Sequence, residues 1–308
     1  MKTVAVLLSS YNGTRYIKEQ IDSILAQENV DVTIFVRDDG SKDGTVDLLR
    51  TYDENKVKVF PEENQGVGVS FMRLVYMVPT DFDYYCFSDQ DDIWLPEKLS
   101  KAVEKLSAEQ VPALYASNQL LVDAEGKQYD IRHHKTPATA YEKIMAANQL
   151  SGCTFVWNRE LHDILVKPEH RPDESFFKVR IHDIWVILIA SIAGKVIYDP
   201  EGYIKYRIHG NNEVGTSERK KNLDKLKSDY RNMFVKKNNR YRSATCKEVI
   251  LHLPEYLSEE RTVMTRKYYE YLTNGKIKRE LLFVKKPFFL GENEKLWKYR
   301  FKILFNLW

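Results

Sequence analysis

Three carboxylates occur within four residues, at Asp89, Asp91 and Asp92, just after the apolar segment 84–87. Carboxylates this close repel one another unless a cation neutralises their charge. Their oxygens are the ligands that Mg²⁺ and Mn²⁺ prefer, and such cations usually keep water molecules and bind the phosphates of a substrate. We therefore predict a divalent cation site here, with either Mg²⁺ or Mn²⁺ as the ion.

Two further groups of polar residues follow predicted strands, at residues 9–13 and 38–41. The carboxyl ends of parallel strands open into one crevice, which is where open α/β sheets bind ligands. Each group alone would be interpreted as a helix cap or a turn. Because three such groups occur at equivalent ends of successive strands, we favour one shared binding site.

Strand and helix patterns alternate through the first part of the chain and must position these groups. Short apolar runs predict strands at 4–8, 32–36, 57–60 and 84–87, and helical spacing predicts helices near 17–25, 46–49 and 67–78. This alternation predicts an α/β fold with a mostly parallel sheet and right-handed crossovers. The segment 113–122 predicts a longer strand that turns at 123–126, so part of the sheet is expected to be antiparallel.

Other ligand classes fit the sequence less well. Residues 39–50 resemble the first half of a calcium-binding loop, but Arg50 occupies the position that requires a bidentate Glu. No closely spaced glycines follow the first strand, which disfavours a dinucleotide fold. Cys86, Cys153 and Cys246 are far apart and form neither a disulfide framework nor a metal-ligand spacing, so we expect reduced thiols in a cytosolic protein.

The chain has 308 residues, of which 43% are hydrophobic and 30% charged, so it has enough apolar material for a sizeable core. Its longest apolar stretch, 184–194, is far shorter than the roughly 20 residues that cross a bilayer. The amino terminus also lacks the pattern of a signal peptide. These features predict a cytoplasmic location.

Charge divides the chain into two parts. Residues 1–218 hold 24 Lys and Arg against 34 Asp and Glu, whereas residues 219–308 hold 23 against 10. The basic part ends in an amphipathic segment, 295–305, in which Trp297 and Phe301 share a helical face beside several lysines. Two interpretations remain open: the helix lies on an anionic membrane surface, or it packs on the body or on a second subunit. No nucleic-acid-binding module is recognised.

Together the segments 9–13, 37–45 and 87–96 resemble bacterial family 2 glycosyltransferases with the GT-A fold, and the resemblance extends over about residues 1–215. Around 89–96 the chain is most similar to rhamnosyltransferases that build cell-surface polysaccharides. The resemblance implies a GT-A catalytic domain at residues 1–218, followed by a basic, mainly helical region at 219–308.

The same resemblance implies roles for individual residues. It implies nucleotide binding by Ser9, Tyr11, Asn12, Asp38, Asp39, Asp89 and Arg207. The metal ligands it implies are Asp89, Asp91 and His209, with Arg207 or His209 as an alternative stabiliser of the leaving group. It places Asp92, Trp94 and His182 on the acceptor side.

Asp183 begins the most apolar helical segment of the chain, and the resemblance implies that it is the catalytic base. A carboxylate at a helix start also has a purely structural explanation, because helix amino termini favour negative charge. The family more often has Glu at the position of His182, so we expect different hydrogen bonding around Asp183 in this chain.

The implied reaction is metal-dependent transfer of a sugar, with rhamnose as a candidate, from a UDP- or dTDP-sugar to a glycan, glycolipid or glycoprotein hydroxyl. A single base suffices, because direct displacement inverts the anomeric centre. Two alternatives share the crevice: a catalytically silent module that binds nucleotide sugars, and a nucleotidyltransferase. Nucleotidyl transfer would release pyrophosphate, whereas glycosyl transfer releases a nucleoside diphosphate.

Overall fold

The computed structural model describes residues 1–208, 237–274, 290 and 295–304. Nine strands form its sheet. They are β1 (Lys2–Ser10), β2 (Val30–Asp38), β3 (Val57–Pro61), β4 (Tyr84–Ser88), β5 (Ile93–Trp94), β6 (Ala113–Val122), β7 (Gln128–Ile131), β8 (Val156–Asn158) and β9 (Lys195–Arg207).

Helices lie between the strands and after the last one. Those of the first 208 residues are α1 (Ile17–Leu25), α2 (Thr45–Leu49), α3 (Val67–Met77), α4 (Lys98–Leu106), α5 (Tyr141–Ala147), α6 (Arg159–Leu165), α7 (Glu174–Val179) and α8 (His182–Ala193). Three further helices follow: α9 (Lys237–His252), α10 (Glu259–Asn274) and α11 (Leu296–Leu304).

The sheet combines parallel and antiparallel pairing, as predicted. Its strand order is β3-β2-β1-β4-β8-β6-β9-β5, with β7 paired to β6. Strands β1 to β4 are mutually parallel, and β8 pairs antiparallel with both β4 and β6. The turn between β6 and β7 contains Gly126 at φ 85°, a left-handed conformation that glycine adopts without steric cost.

Each face of the sheet packs against its own layer of helices. Along β1, Ala5 and Leu7 join the apolar cluster that contains α3 and α8, whereas Val4, Val6 and Leu8 join the cluster beneath α1 and α4. Side chains on a strand alternate between faces, so a strand covered on both sides must be apolar throughout. This accounts for the uninterrupted apolar run in β1.

The described helices of the basic region share a core with the catalytic body. Val249 of α9, Tyr271 of α10 and Tyr299 of α11 are buried in the same cluster as α8. Tyr299 also exchanges a hydroxyl hydrogen bond with Tyr268. One side of α11 therefore packs on the body of the protein, as one of the two interpretations of this segment predicted. The division into two functional modules at residue 218 stays a prediction, since residues 209–236 lie outside the described part.

Within the described residues, no helix is both long enough and apolar enough to cross a membrane.

Candidate active site

A cavity of about 1190 Å³ opens at the carboxyl ends of β1, β2 and β4. This volume suits a ligand larger than a typical drug-sized molecule. Eight of the predicted site residues line it: Ser9, Tyr11, Asn12, Asp39, Asp89, Asp91, His182 and Asp183. The structure thus brings together residues from three strand ends and one helix start, as expected of a shared site.

The loop after β1 forms one wall of the cavity. Tyr11 is half exposed and lines the cavity, so its side chain is accessible to a ligand. Gln90 fixes the backbone of Tyr11 from the opposite loop, accepting from its amide at 2.9 Å and donating to its carbonyl at 3.1 Å. Asn12 accepts from the Lys42 amide at 2.9 Å. Loops from different strands therefore hold one another in place around the exposed ring.

Asp39 is buried at the cavity wall and orders the segment that follows β3. Its carboxylate accepts from the Arg37 guanidinium at 2.5 Å and from the amides of Gln65 and Gly66, both at 2.9 Å. Charge-assisted hydrogen bonds of this kind are among the stronger ones in proteins. Asp39 thereby holds the loop that enters α3 against the end of β2.

Asp38 does not line the cavity. Its carboxylate accepts from the hydroxyls of Ser10 and Ser41 and from the Ser41 amide, at 2.6 to 2.8 Å. Asp38 ends β2, and neighbouring side chains of an extended strand point to opposite sides. Asp38 therefore faces the protein, and its contacts are those of a loop-holding residue.

An acidic cluster lies at the end of β4. Ligand atoms of Asp89, Asp92 and Cys153 all lie within 4.8 Å of one another. Asp92 is fully buried; its Oδ1 accepts from the Arg207 amide at 3.1 Å, and its Oδ2 has no hydrogen-bond partner among the described residues. Burial, together with Asp89 and Asp91, raises the pKa of Asp92 well above its usual value. Because the Oδ2 of Asp92 is buried and lacks a hydrogen-bond partner among the described residues, a bound cation could interact with it.

Arg207 lies behind the acidic cluster. Its buried guanidinium donates to the carbonyls of Asp91 and Ala124, at 3.0 and 2.8 Å, and to the carboxylate of Glu19. It does not line the cavity, so the structure does not place it beside a leaving group. Its contacts hold the backbone of the acidic loop. His209 lies outside the described residues.

Trp94 is buried and does not line the cavity, in contrast to the predicted acceptor-side position. Its ring covers the buried ammonium of Lys98, which lies 3.6 Å from the ring centroid. Asp92 likewise lies behind the cavity wall. Of the three residues predicted on the acceptor side, only His182 lines the cavity.

Asp183 lies in the first turn of α8, and only 6% of its surface is exposed. Burial raises its pKa to about 7, against the opposing effects of Arg180 and of the Ile184 and Gly152 amides. A carboxylate with a pKa near neutrality can both accept and release a proton under physiological conditions. This shift is opposite in direction to the lowered pKa expected of a carboxylate that only caps a helix.

His182 is packed between two aromatic rings and lines the cavity. Its ring stacks on Phe71 at 4.0 Å and meets Phe87 edge-on at 4.5 Å, and neither ring nitrogen has a hydrogen-bond partner in the described structure. Burial lowers its pKa to about 3, so it is neutral at physiological pH. A neutral ring therefore stands beside Asp183 in place of the family's more frequent Glu.

The cavity also contains residues that sequence patterns did not reveal. These are chiefly Arg132, Cys153, Arg180 and Arg242. Arg242 belongs to α9 and reaches the cavity by donating to the Ala146 carbonyl at 2.7 Å. Each comes from a segment remote from the acidic motif, so no local spacing could have indicated it.

The mostly parallel sheet, the cavity at its carboxyl edge and the acidic loop define a nucleotide-sugar-binding glycosyltransferase of the GT-A type. The overall structure resembles that of S. aureus TarS 1–349 in complex with UDP, with a TM-score of 0.59 at 16% sequence identity. The match covers 92% of this chain and 76% of the TarS chain, and it shows a shared fold.

Sequence comparison identifies the family. Residues 5–157 match Glycosyl transferase family 2, and the chain belongs to this family of enzymes. It is 29% identical over 247 residues to the dTDP-rhamnosyl transferase RfbG of Shigella flexneri, covering 78% of this chain and 82% of the relative. It is also 31% identical over 156 residues to the putative teichuronic acid biosynthesis glycosyltransferase TuaG of Bacillus subtilis (strain 168), covering 50% and 60% respectively.

Proposed function

We propose that the protein is an inverting, metal-dependent glycosyltransferase that moves a sugar, with rhamnose as the candidate, from a UDP- or dTDP-sugar to a hydroxyl of a surface glycan, glycolipid or glycoprotein. One observation carries the proposal: a carboxylate with a pKa of about 7, Asp183, shares a cavity with Asp89 and Asp91. The proposed base for the acceptor and the proposed site for the diphosphate thus share one cavity.

The nucleoside is assigned to the wall formed by the loops after β1 and β2. The exposed ring of Tyr11 offers a stacking surface for a base, and Asp39 lies on the same wall. Uracil and thymine both present an N3–H donor, which a carboxylate can accept. The similarity to a dTDP-rhamnosyl transferase favours thymine as the base and rhamnose as the sugar.

Asp89 and Asp91 are the proposed ligands of Mg²⁺ or Mn²⁺. The Oδ2 of Asp92, which has no hydrogen-bond partner among the described residues, supports a cation at this cluster. When bound, the cation supplies neutralisation of the charge that develops on the diphosphate. Arg207 supports the cluster from behind by holding the Asp91 carbonyl.

The proposed chemistry of the chain is carried by Asp183. The acceptor hydroxyl oxygen attacks the anomeric carbon, its proton passes to the Asp183 carboxylate, and the carbon–oxygen bond to the diphosphate breaks. The attack is on the face opposite the leaving group, so the anomeric centre inverts. The neutral ring of His182 and the burial of Asp183 keep the base poorly solvated, which maintains its basicity.

The metal assignment is tested with Asp91→Ala. Calorimetric titration of UDP and dTDP should show binding that Mg²⁺ or Mn²⁺ strengthens in the parent protein and no longer strengthens in the variant. Circular dichroism verifies that the variant is folded. Nucleotide binding that responds to the cation equally in both proteins, or transfer that persists in excess chelator, would contradict the assignment.

We further propose that the enzyme works in the cytoplasm at the inner face of the plasma membrane. The three described cysteines are free and buried, as in proteins of a reducing compartment. Trp297 and Phe301 are exposed on α11, on the side away from buried Tyr299. Exposed aromatic side chains beside lysines are typical of helices that lie at an anionic lipid surface.

A further inference from the structure

We propose that Cys153 is a ligand of the divalent cation, so that the site takes a thiophilic ion such as Co²⁺, Zn²⁺ or Cd²⁺ through a sulfur bond. The inference rests on the proposed function in one respect: it assumes that a divalent cation binds at the acidic loop. The inference goes beyond the proposed function because it assigns a sulfur ligand to the cation and a preference for thiophilic ions to the site.

The geometry places a sulfur among the carboxylates. The Sγ of Cys153 and a carboxylate oxygen each of Asp89 and Asp92 all lie within 4.8 Å of one another. Bonds of about 2.3 Å to sulfur and about 2.0–2.2 Å to oxygen allow ligands on one ion to lie up to roughly 4.5 Å apart. Small side-chain adjustments therefore bring all three atoms onto one ion.

A separate observation indicates that a ligand belongs in this cluster. The Oδ2 of Asp92 is buried and has no hydrogen-bond partner among the described residues, although the other oxygen of the same carboxylate is bonded to the Arg207 amide. Leaving a carboxyl oxygen buried without a partner is costly. A cation bonded to this oxygen removes that cost.

The surroundings of Cys153 support a ligand role. The Nε2 of Gln119 donates to the Cys153 Sγ at 3.1 Å, and the Ser151 hydroxyl donates to the Oε1 of Gln119 at 3.3 Å. Metal ligands are commonly held by such outer hydrogen bonds. Cys153 lies on the short turn Gly152–Thr154, which presents its thiol to the cavity. Coordination replaces the S–H bond with a sulfur–metal bond and releases one proton to solvent.

A thiolate changes which ion the site prefers. Cysteine sulfur selects softer ions, whereas an all-oxygen site suits Mg²⁺. With Asp91 as a further proposed ligand, a cation that takes six ligands still has open coordination positions. Oxygens of a diphosphate are the ligands that these open positions would accept.

The test is an ultraviolet titration of the metal-free full chain with Cd²⁺, in which a cadmium–thiolate bond gives a charge-transfer band. We expect a band that saturates at one equivalent in the parent protein and is absent in Cys153→Ser. Cd²⁺ affinity should fall in this variant by at least the roughly 10–100-fold that loss of a ligand's outer partner costs. Mg²⁺ affinity should change much less.

Two controls keep the test decisive. The Cys86→Ala/Cys246→Ala double variant retains Cys153 alone among the three cysteines and should keep the full band. If Cys153→Ser does not fold, this double variant alone decides the matter. Absence of the band in the parent or in the double variant would overturn the inference while leaving nucleotide-sugar transfer untouched. Conversely, a Cys153-dependent band in a protein that transfers no sugar would support the metal ligand and refute the proposed function.

Discussion

The environment of Asp183 suits the proposed role of this residue as the general base. Burial at the start of α8 raises its pKa to about 7, and the amides of Gly152 and Ile184 keep the shift from becoming larger. A carboxyl that is half ionised near neutral pH is matched to the deprotonation of a hydroxyl in the transition state.

The titration of Asp183 gives a prediction with a definite sign. Only the ionised carboxylate accepts a proton, so the transfer rate at saturating donor and cation should rise with pH and level off above about 7. The folded state should lose stability over the same range, because the pKa of Asp183 is higher in the folded protein than its ordinary value of 3.8. Asp183→Asn should therefore raise the melting temperature more at about pH 8 than at about pH 5.5.

The measurements are a pH–rate profile and thermal melts of parent and variant. A flat rate between these pH values would show that Asp183 is not the base. An equal effect of the substitution on melting temperature at both pH values would show that its pKa is not raised.

The position of a residue relative to the predicted strands explains which site residues could be identified from the sequence. Ser9, Tyr11, Asp39 and Asp89 could be predicted to meet because each lies at or just after the end of a recognisable strand. Asp183 was placed with them only through the resemblance to the family. Asp38 and Asp39 are the same residue type, so the sequence motif alone did not show which of them lines the cavity. Side chains alternate along the strand, and the Asp38 carboxylate therefore points into the protein, where it accepts from Ser10.

At the scale of secondary structure elements, the strands of the parallel half were predicted to within a few residues. The inner stretches 4–8 of β1 and 84–87 of β4 are apolar without interruption, and this pattern is local to the sequence. Contacts between distant segments were not predictable. The thiol of Cys153 meets Asp92 through the turn before β8, and Arg242 reaches the cavity from α9. The hydrophobic periodicity of a sequence does not indicate contacts between such distant segments.

The turn before β8 fixes the start of α8, which gives a prediction at this scale. A Cβ atom at Gly152 would lie 2.9 Å from the His182 Nε2 and 3.1 Å from the Asp183 Cβ. Gly152→Ala should displace the base, lower transfer by about 10²-fold and cost about 1–3 kcal/mol of stability. Binding of UDP or dTDP should be retained, because the loops after β1 and β2 are not touched.

Gly126→Ala is the control for Gly152→Ala. Gly126 has φ 85° on the β6–β7 turn, and an added Cβ there meets no atom within 4 Å. This variant should lose stability through its backbone while keeping its transfer rate. Normal transfer in a folded Gly152→Ala variant would show that the turn does not position Asp183.

At the scale of the whole molecule, the basic region is joined to the catalytic body and also presents an exposed surface. Tyr299 is buried against Tyr268, so α11 is anchored in the core. Deleting the end of the chain would therefore remove core packing together with the surface. Substitutions on the exposed side separate these two effects.

We expect the Trp297→Ser/Phe301→Ser double variant to bind anionic vesicles at least about tenfold more weakly than the parent, since burial of each aromatic side chain contributes roughly 1.5–3 kcal/mol. Binding by the parent should also weaken with salt, because lysine–lipid attraction is screened beyond about 8 Å at physiological ionic strength. Sedimentation with vesicles measures both effects. Transfer to a small soluble acceptor should be unchanged.

Tyr129→Ser is the matched control, because Tyr129 is also an exposed aromatic residue but lies on β7. It should leave vesicle binding intact. Equal vesicle binding by the parent and the α11 double variant, or parent binding that ignores lipid charge and salt, would refute a membrane role for this surface.

In the proposed reaction, Asp183 deprotonates an acceptor hydroxyl during transfer from a nucleotide sugar. The most direct measurement incubates parent and Asp183→Asn with a panel of UDP- and dTDP-sugars and glycan acceptors, and quantifies the released nucleotide and the glycan product. We predict that the parent releases a nucleoside diphosphate with an inverted linkage, and that Asp183→Asn binds the same donor with transfer reduced by about 10²–10⁴-fold. Release of pyrophosphate, or undiminished transfer by the folded variant, would contradict this account.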